Sequence, residues 1–365
     1  ALGRDAIAIG DDANAAANYS IALGCSASSE CWMSVALGPG AIASKEADIA
    51  IGRKANANAA SSIAIGECSQ TSGFGSVAVG LMSNSAGGVY STAIGPHITA
   101  TGNASSALGL AANALGNAST AIGYLSKATA VGSTALGAGA NASALNSSAI
   151  GINTSASGMD SIAFGHNANA AATSSTALGR AAKASNTGSI ALGNHSKASG
   201  LQAVAIGNAA NAAGQDAIAL GNRANAAGNS ATALGDGAKA AGNNAIALGV
   251  NADASGNFST ALGIDAKAAA SATAVGDRAN AAGYAATALG YLTKASGPNA
   301  TALGATANAT GLSTTAVGNS AKALHASATA LGDSALAFNV GSTALGGLTN
   351  ASGWGSLAVG YFARA

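Results

Sequence analysis

The chain has 365 residues, of which 15 are basic and 14 are acidic, so its formal net charge is +1. Such a balance creates no global field that would attract nucleic acid or an anionic membrane, and we expect direct contact with neither. Charged residues make up 8% and aromatic residues 4% of the sequence, while glycine supplies 51 positions. A core of large side chains is therefore excluded, because an average domain is about a quarter charged and richer in large apolar residues.

A 14-residue repeat begins within the first ten residues and continues to the C-terminus. Its marker is a glycine that closes an Ala-aliphatic-Gly triplet, first at Gly10, and 23 of the 25 intervals between markers are 14 residues long. The interval from Gly80 to Gly95 has 15 residues and that from Gly263 to Gly276 has 13. No unrelated insertion separates the repeats, so one architecture is predicted for the whole chain.

Each repeat predicts two short strands and two turns. In residues 217–228, AIALGNRANAAG, Ile218 and Leu220 share one side of a strand and Ala219 lies on the other. A second alternating segment follows, with alanines on one face and asparagine on the opposite face. The period excludes helical repeats of about 33 to 47 residues. We therefore expect an all-β fold, a parallel β-solenoid of 14-residue coils that forms a single domain over residues 1–365.

One face of the first strand is apolar in every coil, and a second chain is needed to cover it. From the alternation alone, the aliphatic pair represented by Ile218 and Leu220 fills either the interior of the roll or an interface between subunits. A roll this small cannot enclose all of its aliphatic surface. Closed symmetric association of copies would bury the remaining stripe.

The recurring SIALG, SVALG and TALG strands with their AxAxG turns resemble the head of YadA-type trimeric autotransporter adhesins over essentially the entire chain. The resemblance implies a left-handed parallel β-roll, assembled side by side as a homotrimer on a coiled-coil stalk and an outer-membrane anchor. It also implies a bacterial cell-surface adhesin, without enzymatic activity or cofactor. Such a head would attach to host matrix proteins of the collagen, fibronectin or laminin type, to cell-surface receptors, or to other bacteria in aggregates and biofilms.

Two alternatives remain open beside the adhesive head. The chain would serve as a passive spacer that presents another adhesive module, or as the solenoid of a phage tail fibre or tailspike. The opening ALGRDAIAIG is already repeat sequence. We therefore expect any export signal, neck, stalk or membrane anchor to lie outside residues 1–365.

Large apolar residues at one turn position are the first candidate adhesive site. The position lies eight residues after the marker glycine and usually holds a small polar residue. Aromatic side chains dominate binding hot spots, although they also pack well against a neighbouring subunit. The residues concerned are Trp32, Phe74, Met159, Leu201, Tyr284, Leu312 and Trp354.

Lysines at the outward position of the second strand form the second candidate site. They indicate either a solvated face or a basic ladder that meets acidic matrix glycans or proteins through many weak contacts. The ladder consists of Lys127, Lys183, Lys197, Lys239, Lys267, Lys294 and Lys322. A row of threonines on the first strand, Thr260 to Thr343, also raises an ice-binding alternative, which would require that surface to be exposed.

Catalytic and metal-binding patterns are sparse. Glu46 and Asp48 are the one tight same-side pair of carboxylates, and we expect them to be structural or solvated rather than catalytic. The four histidines lack metal-ligand spacing, so no metal site is predicted. Cys25 and Cys31 lie within one coil and form either a local disulfide or inert thiols, whereas Cys68 is three coils away and beyond disulfide reach.

Overall fold

A computed structural model describes residues 1–85 and 87–365 of the chain. Within those residues the chain consists of short parallel β-strands joined by turns, and it contains no helix. The prediction of an all-β parallel solenoid is thereby confirmed. The chain divides into two compact units, Ala1–Ala182 and Lys183–Ala365, which are built from the same coil. That residues 1–365 form a single domain stays a prediction.

The strands are numbered in chain order, and long strands of three residues alternate with short strands of two. In the first unit, β1 to β25 are Ile7–Ile9, Asn14–Ala15, Ile21–Leu23, Ser28–Ser29, Val35–Leu37, Ile42–Ala43, Ile49–Ile51, Asn56–Ala57, Ile63–Ile65, Gln70–Thr71, Val77–Val79, Asn84–Ser85, Thr92–Ile94, Thr99–Ala100, Ser106–Leu108, Asn113–Ala114, Thr120–Ile122, Lys127–Ala128, Thr134–Leu136, Asn141–Ala142, Ser148–Ile150, Ser155–Ala156, Ile162–Phe164, Asn169–Ala170 and Thr176–Leu178. In the second unit, β26 to β51 are Lys183–Ala184, Ile190–Leu192, Lys197–Ala198, Val204–Ile206, Asn211–Ala212, Ile218–Leu220, Asn225–Ala226, Thr232–Leu234, Lys239–Ala240, Ile246–Leu248, Asp253–Ala254, Thr260–Leu262, Lys267–Ala268, Thr273–Val275, Asn280–Ala281, Thr287–Leu289, Lys294–Ala295, Thr301–Leu303, Asn308–Ala309, Thr315–Val317, Lys322–Ala323, Thr329–Leu331, Leu336–Ala337, Thr343–Leu345, Asn350–Ala351 and Leu357–Val359.

Within each unit a strand pairs in parallel with its equivalent in the next coil. In β31 and β33, for example, Ala219 lies beside Ala233. The 15-residue coil keeps this register, because Val77 pairs with Thr92. The 13-residue coil keeps it too, because Thr260 pairs with Thr273. In both coils the first turn has its usual length, so the second turn absorbs the extra or missing residue and the ladder continues undisturbed.

The interior of each coil is filled by alanine and other small side chains. Ala219 of the long strand and Ala224 and Ala226 beside and within the short strand are completely buried. Ile218 and Leu220 point outward and remain 44% and 39% exposed. The question left open by the alternation is thereby settled for this chain, since the methyl face is inside and the aliphatic face is outside.

Small hydroxyl side chains line the interior just before many of the long strands. The Oγ atoms of Ser133, Ser147 and Ser175 each donate a hydrogen bond of 2.6 Å to the backbone carbonyl three residues earlier. A hydroxyl bound in this way adds little volume and leaves no uncompensated donor in the apolar interior. The local bond compensates the hydroxyl in these three coils, whereas the buried Oγ atoms of Ser105 and Ser161 at the same position have no hydrogen-bond partner.

The marker glycine begins the first turn and lies directly against the backbone of the next coil. Gly318 has φ near 131°, a conformation that residues with a side chain rarely adopt. A Cβ at this position would lie 2.3 Å from the carbonyl oxygen of Gly332 in the next coil. Both the backbone angle and the stacking distance between coils therefore require glycine.

We predict that Gly318→Ala lowers the free energy of unfolding by at least about 3 kcal/mol, because backbone strain and a backbone clash coincide. The matched control is Gly341→Asn in the same unit, where φ is 65° and an added Cβ would meet only the Cα of Gly355 at 3.8 Å. Ser327 already adopts this conformation one coil earlier. Urea unfolding followed by circular dichroism measures both variants, and equal midpoints would contradict the stated role of the marker.

Candidate functional site

The outward face of the long strands is an apolar stripe in both units. We call it the long-strand face, and it consists of the first and third residues of each three-residue strand. In the first unit Leu23, Ile94 and Leu136 on this face are exposed. In the second unit Ile218 and Ile246 are exposed in the same way. Monomeric soluble proteins rarely expose continuous apolar surface on this scale, so the long-strand face is suited to burial against another chain.

The threonine row lies on the same outward face as the aliphatic residues. In β37, Thr260 is partly exposed and is followed two residues later by the exposed Leu262. In β41, Thr287 and Leu289 are both exposed. The threonines therefore alternate with large apolar side chains along each strand and do not form a uniform hydroxyl plane.

All seven candidate turn residues are exposed at the second turn of their coils. Trp354 is the most exposed, at 79%. None of them is drawn into the interior, because a residue at the tip of a turn points away from both sheets. The exposed set is Trp32, Phe74, Met159, Leu201, Tyr284, Leu312 and Trp354.

Further apolar residues at the second turn escaped the sequence analysis, among them Val131, Leu145 and Val340. Val131 and Leu145 occupy this position in the two coils before Met159, and all three are exposed. Hydrogen bonds from coil to coil connect these turns, with the amide of Asp160 donating to the carbonyl of Leu145 at 2.9 Å. Val340 extends the site at Trp354 in the same manner. Their position, eight residues after the marker, would have identified them.

An aromatic pair connects the second turn of the 15-residue coil with the second turn of the coil before it. The rings of Phe74 and Tyr90 meet edge to face, with 5.5 Å between their centroids. Gly75 leaves the space for this contact, because a Cβ there would lie 2.9 Å from the Tyr90 ring. Phe74 and Tyr90 both remain exposed, so the pair presents aromatic surface to solvent.

The first turn carries exposed apolar residues that the sequence analysis did not consider. They follow the marker glycine directly, where no regular apolar pattern draws attention to them. The aromatic members are Tyr124, Tyr291, Tyr361 and Phe362, and the aliphatic members include Leu125, Ile152 and Ile264. Apolar groups therefore occur on both turns as well as on the long-strand face.

The seven lysines of the predicted basic ladder lie on the outward face of the short strands. In each of their strands the lysine is exposed and the following alanine is buried. No lysine takes part in an ion pair within residues 1–85 and 87–365, where the three ion pairs all involve arginine. The lysine charges are therefore available to a ligand.

The three cysteines are free thiols in the structure, in place of the Cys25 to Cys31 disulfide that the sequence allowed. Cys25 follows the marker glycine in the first turn of its coil, whereas Cys31 begins the second turn. The short strand Ser28–Ser29 lies between them, so the two thiols belong to opposite turns. Proximity in sequence therefore does not bring them together across the coil.

The pair Glu46 and Asp48 does not share a face. Glu46 is exposed on the second turn, whereas Asp48 is completely buried inside the roll. In the described part of the chain no group of three His, Cys, Asp or Glu residues could hold a metal ion. No helix in that part is long and apolar enough to cross a bilayer.

The YadA head domain repeat family matches the chain along most of its length. Overlapping matches cover residues 1–24, 33–66, 72–97, 100–196, 198–224, 226–335 and 339–363. The chain belongs to this family. No match was found among the curated proteins. Membership in the YadA head family indicates an adhesin-type function and not an enzymatic one.

The second coil departs from the YadA head repeat. Residues 25–32 fall outside the matches, and they contain Cys25, Cys31 and the exposed Trp32. Ser29 takes the interior place that alanine holds in most coils, where its Oγ lies 2.6 Å from that of Ser34. The backbone register continues through this coil, because β4 pairs in parallel with both β2 and β6. The departure therefore concerns side chains and leaves the coil intact.

Asp48 is a buried carboxylate in an interior otherwise built from small neutral side chains. Oδ2 accepts a hydrogen bond from the Lys45 amide at 2.8 Å, and Oδ1 accepts bonds from the Ser62 amide and hydroxyl at 3.0 Å. Burial raises the pKa of Asp48, and the hydrogen bonds from Ser62 and Lys45, together with the Lys45 charge, offset this only in part.

We predict that Asp48→Ser increases stability at neutral pH by about 1 kcal/mol and removes a pH dependence. The folded state holds the Asp48 proton more tightly than the unfolded chain, whose pKa is 3.8. Stability therefore falls as the pH rises from that value through the folded pKa. Urea midpoints measured from pH 3.5 to 8 test this expectation. Glu46→Ser, which removes an exposed carboxylate nearby, should leave the profile unchanged, and an identical effect of both substitutions would contradict it.

Proposed function

We propose that the chain is the head of a trimeric autotransporter adhesin, displayed on a bacterial surface through regions beyond residues 1–365. Three left-handed rolls pack side by side through their long-strand faces. The assembled head attaches to host matrix proteins of the collagen, fibronectin or laminin type, to cell-surface receptors, or to other bacteria. Membership in the YadA head family supports this proposal.

The observation that carries the proposal is the outward position of the aliphatic residues in every coil. Burial of apolar surface contributes roughly 25 cal/mol per Å². The stripe recurs in both units on the same side of each long strand, as at Leu136 and Leu220. In a threefold assembly each of the three copies can turn the same face toward the symmetry axis. The repeating apolar stripe provides such a face. Trimerisation on this face leaves the turns and the short strands free for ligands.

Adhesion on such a scaffold is multivalent. The turn residues and the lysines are spread over many coils, so each contact is weak by itself. Repetition along one chain and over three chains raises the effective concentration of every further contact after the first. A passive spacer would share the fold but would show no binding of its own.

We predict that the purified chain has three times its 33.8 kDa mass in solution by light scattering. Ile218→Glu combined with Ile246→Glu should dissociate the assembly, because burying unpaired carboxylates costs at least about 3 kcal/mol. Asn225→Glu combined with Asn308→Glu adds the same charge on the short-strand face and should leave the mass unchanged. A wild-type mass of 33.8 kDa would contradict the trimer.

We further predict that serine in place of Trp32, Phe74, Tyr284 and Trp354 weakens adhesion to matrix proteins and cells about tenfold or more, because aromatic anchors dominate binding energy. The mass of the assembly should not change. Binding of the purified chain to a panel of immobilised collagen, fibronectin and laminin, and to cultured cells, provides the measurement.

The matched control for this experiment is serine in place of Leu110, Tyr124, Ile152 and Tyr291, which are exposed apolar residues of the first turn. This variant should keep adhesion within about threefold of wild type. Equal losses in both variants would remove the second turn as the adhesive site. A wild-type chain that binds nothing in the panel would favour the passive spacer.

A further inference from the structure

Lysine and asparagine alternate along the short strands of the second unit. Lys267, Asn280, Lys294, Asn308 and Lys322 are the outward residues of five successive short strands. Each pairs in register with the next, so the side chains stand in one line. We call the three lysines of this line the lysine row.

The spacing within the lysine row is set by the backbone. Parallel strands lie about 4.8 Å apart, so lysines on alternate strands are anchored about 9.6 Å apart and the row extends over about 19 Å. The side chains are flexible, but their Cα positions are held by continuous parallel pairing on both sides of each strand. The lysine row therefore presents positive charges at a regular interval.

The lysine row has few acidic neighbours beyond its first member. Between residues 267 and 322 the single acidic residue is Asp277, which pairs with Arg278 at 3.8 Å. At the N-terminal end of the row, Lys267 pairs in register with Asp253 and lines one depression together with Asp253 and Asp265. Lys294 and Lys322 lie two and four strands farther from these carboxylates, so the positive charge of the row is concentrated on them, although the whole chain is nearly neutral.

We infer that the lysine row binds an extended anionic polysaccharide that carries one carboxylate or sulfate on each disaccharide and lies along the line of strands. This inference rests on the proposed adhesive function and names a ligand class for one of its surfaces. The interval of about 9.6 Å suits an extended polymer whose anionic groups recur at a similar interval. The asparagine amides between the lysines offer both donors and acceptors to sugar hydroxyls.

Several weak ion pairs that act together suit a polymeric anionic ligand. An exposed ion pair contributes little alone and is screened by salt, whereas three pairs in register on one chain act together. A nucleic acid fits less well, because phosphates along one strand of a duplex recur every 3.4 Å or so. Single-stranded nucleic acids require aromatic stacking platforms, and the residues between these lysines are asparagines.

The test measures the Kd of the whole chain for immobilised hyaluronan and unsulfated chondroitin, each with one carboxylate on every disaccharide, at low salt. Lys267→Gln, Lys294→Gln and Lys322→Gln together should weaken binding about tenfold or more. The matched control replaces Lys127, Lys183 and Lys197 by glutamine, removing the same charge from the same strand position. It should weaken binding less than about threefold, since these lysines do not have the alternate-strand spacing.

A second variant separates spacing from charge. Asn280→Lys combined with Lys294→Asn keeps the composition and moves one lysine by one strand. We expect binding to weaken about threefold or more, because the regular interval is lost. Equal effects of the two glutamine triple variants, or an unchanged Kd after the exchange, would overturn the inference in favour of binding by net charge. Tighter binding of duplex DNA than of either glycan, abolished in the row variant, would overturn the choice of ligand.

The outcomes also separate this inference from the proposed function. Adhesion to matrix proteins without any glycan binding would refute the lysine row and leave the adhesive role intact. Glycan binding by the row without adhesion to any protein or cell would support the inference and refute the proposed attachment to matrix proteins and cells. Retention of protein adhesion in the row variant, together with loss of glycan binding, is the expected result.

Discussion

The interior of most coils accommodates only alanine, serine or threonine side chains, and the other features of the fold depend on this limit. Two sheets of very short strands close around Ala219, Ala224 and Ala226 in one coil and around their equivalents in the next. Alanine loses no side-chain entropy on burial but gains little hydrophobic energy. Much of the stability must therefore come from the backbone ladder between coils within each unit, and the proposed association would add burial of the outward apolar surface.

The thin interior moves nearly every large side chain to the surface, with the completely buried Ile98 as an exception. Aliphatic residues line the long-strand face, aromatic residues occupy the turns, and lysines follow the short strands. Each outward position recurs in the next coil at the spacing of parallel strands. A scaffold of this kind is suited to repeated weak contacts, which is the physical basis for an adhesive role in a chain of the YadA head family.

The outward positions also explain where the predicted site residues lie. Trp32 and Trp354 were predicted at turns and are exposed there, because the position of a residue within the repeat determines its place in the coil. Val131 and Leu145 share that position and are exposed as well, so the same rule identifies them. Cys25 and Cys31 are free thiols on opposite turns, because separation in sequence does not report distance across a coil.

The repeat by itself determined the period, the two strands and two turns of each coil, the parallel register and the two compensating changes of length. These follow from local alternation and from a marker glycine that recurs every 14 residues. Only the tertiary structure decided which face of the alternation is inside. Alternation distinguishes two faces but does not orient them, and the choice depends on the volume enclosed by two closely spaced sheets. That volume admits the methyl of Ala219 and leaves Ile218 and Leu220 outside, on the face available to a partner chain.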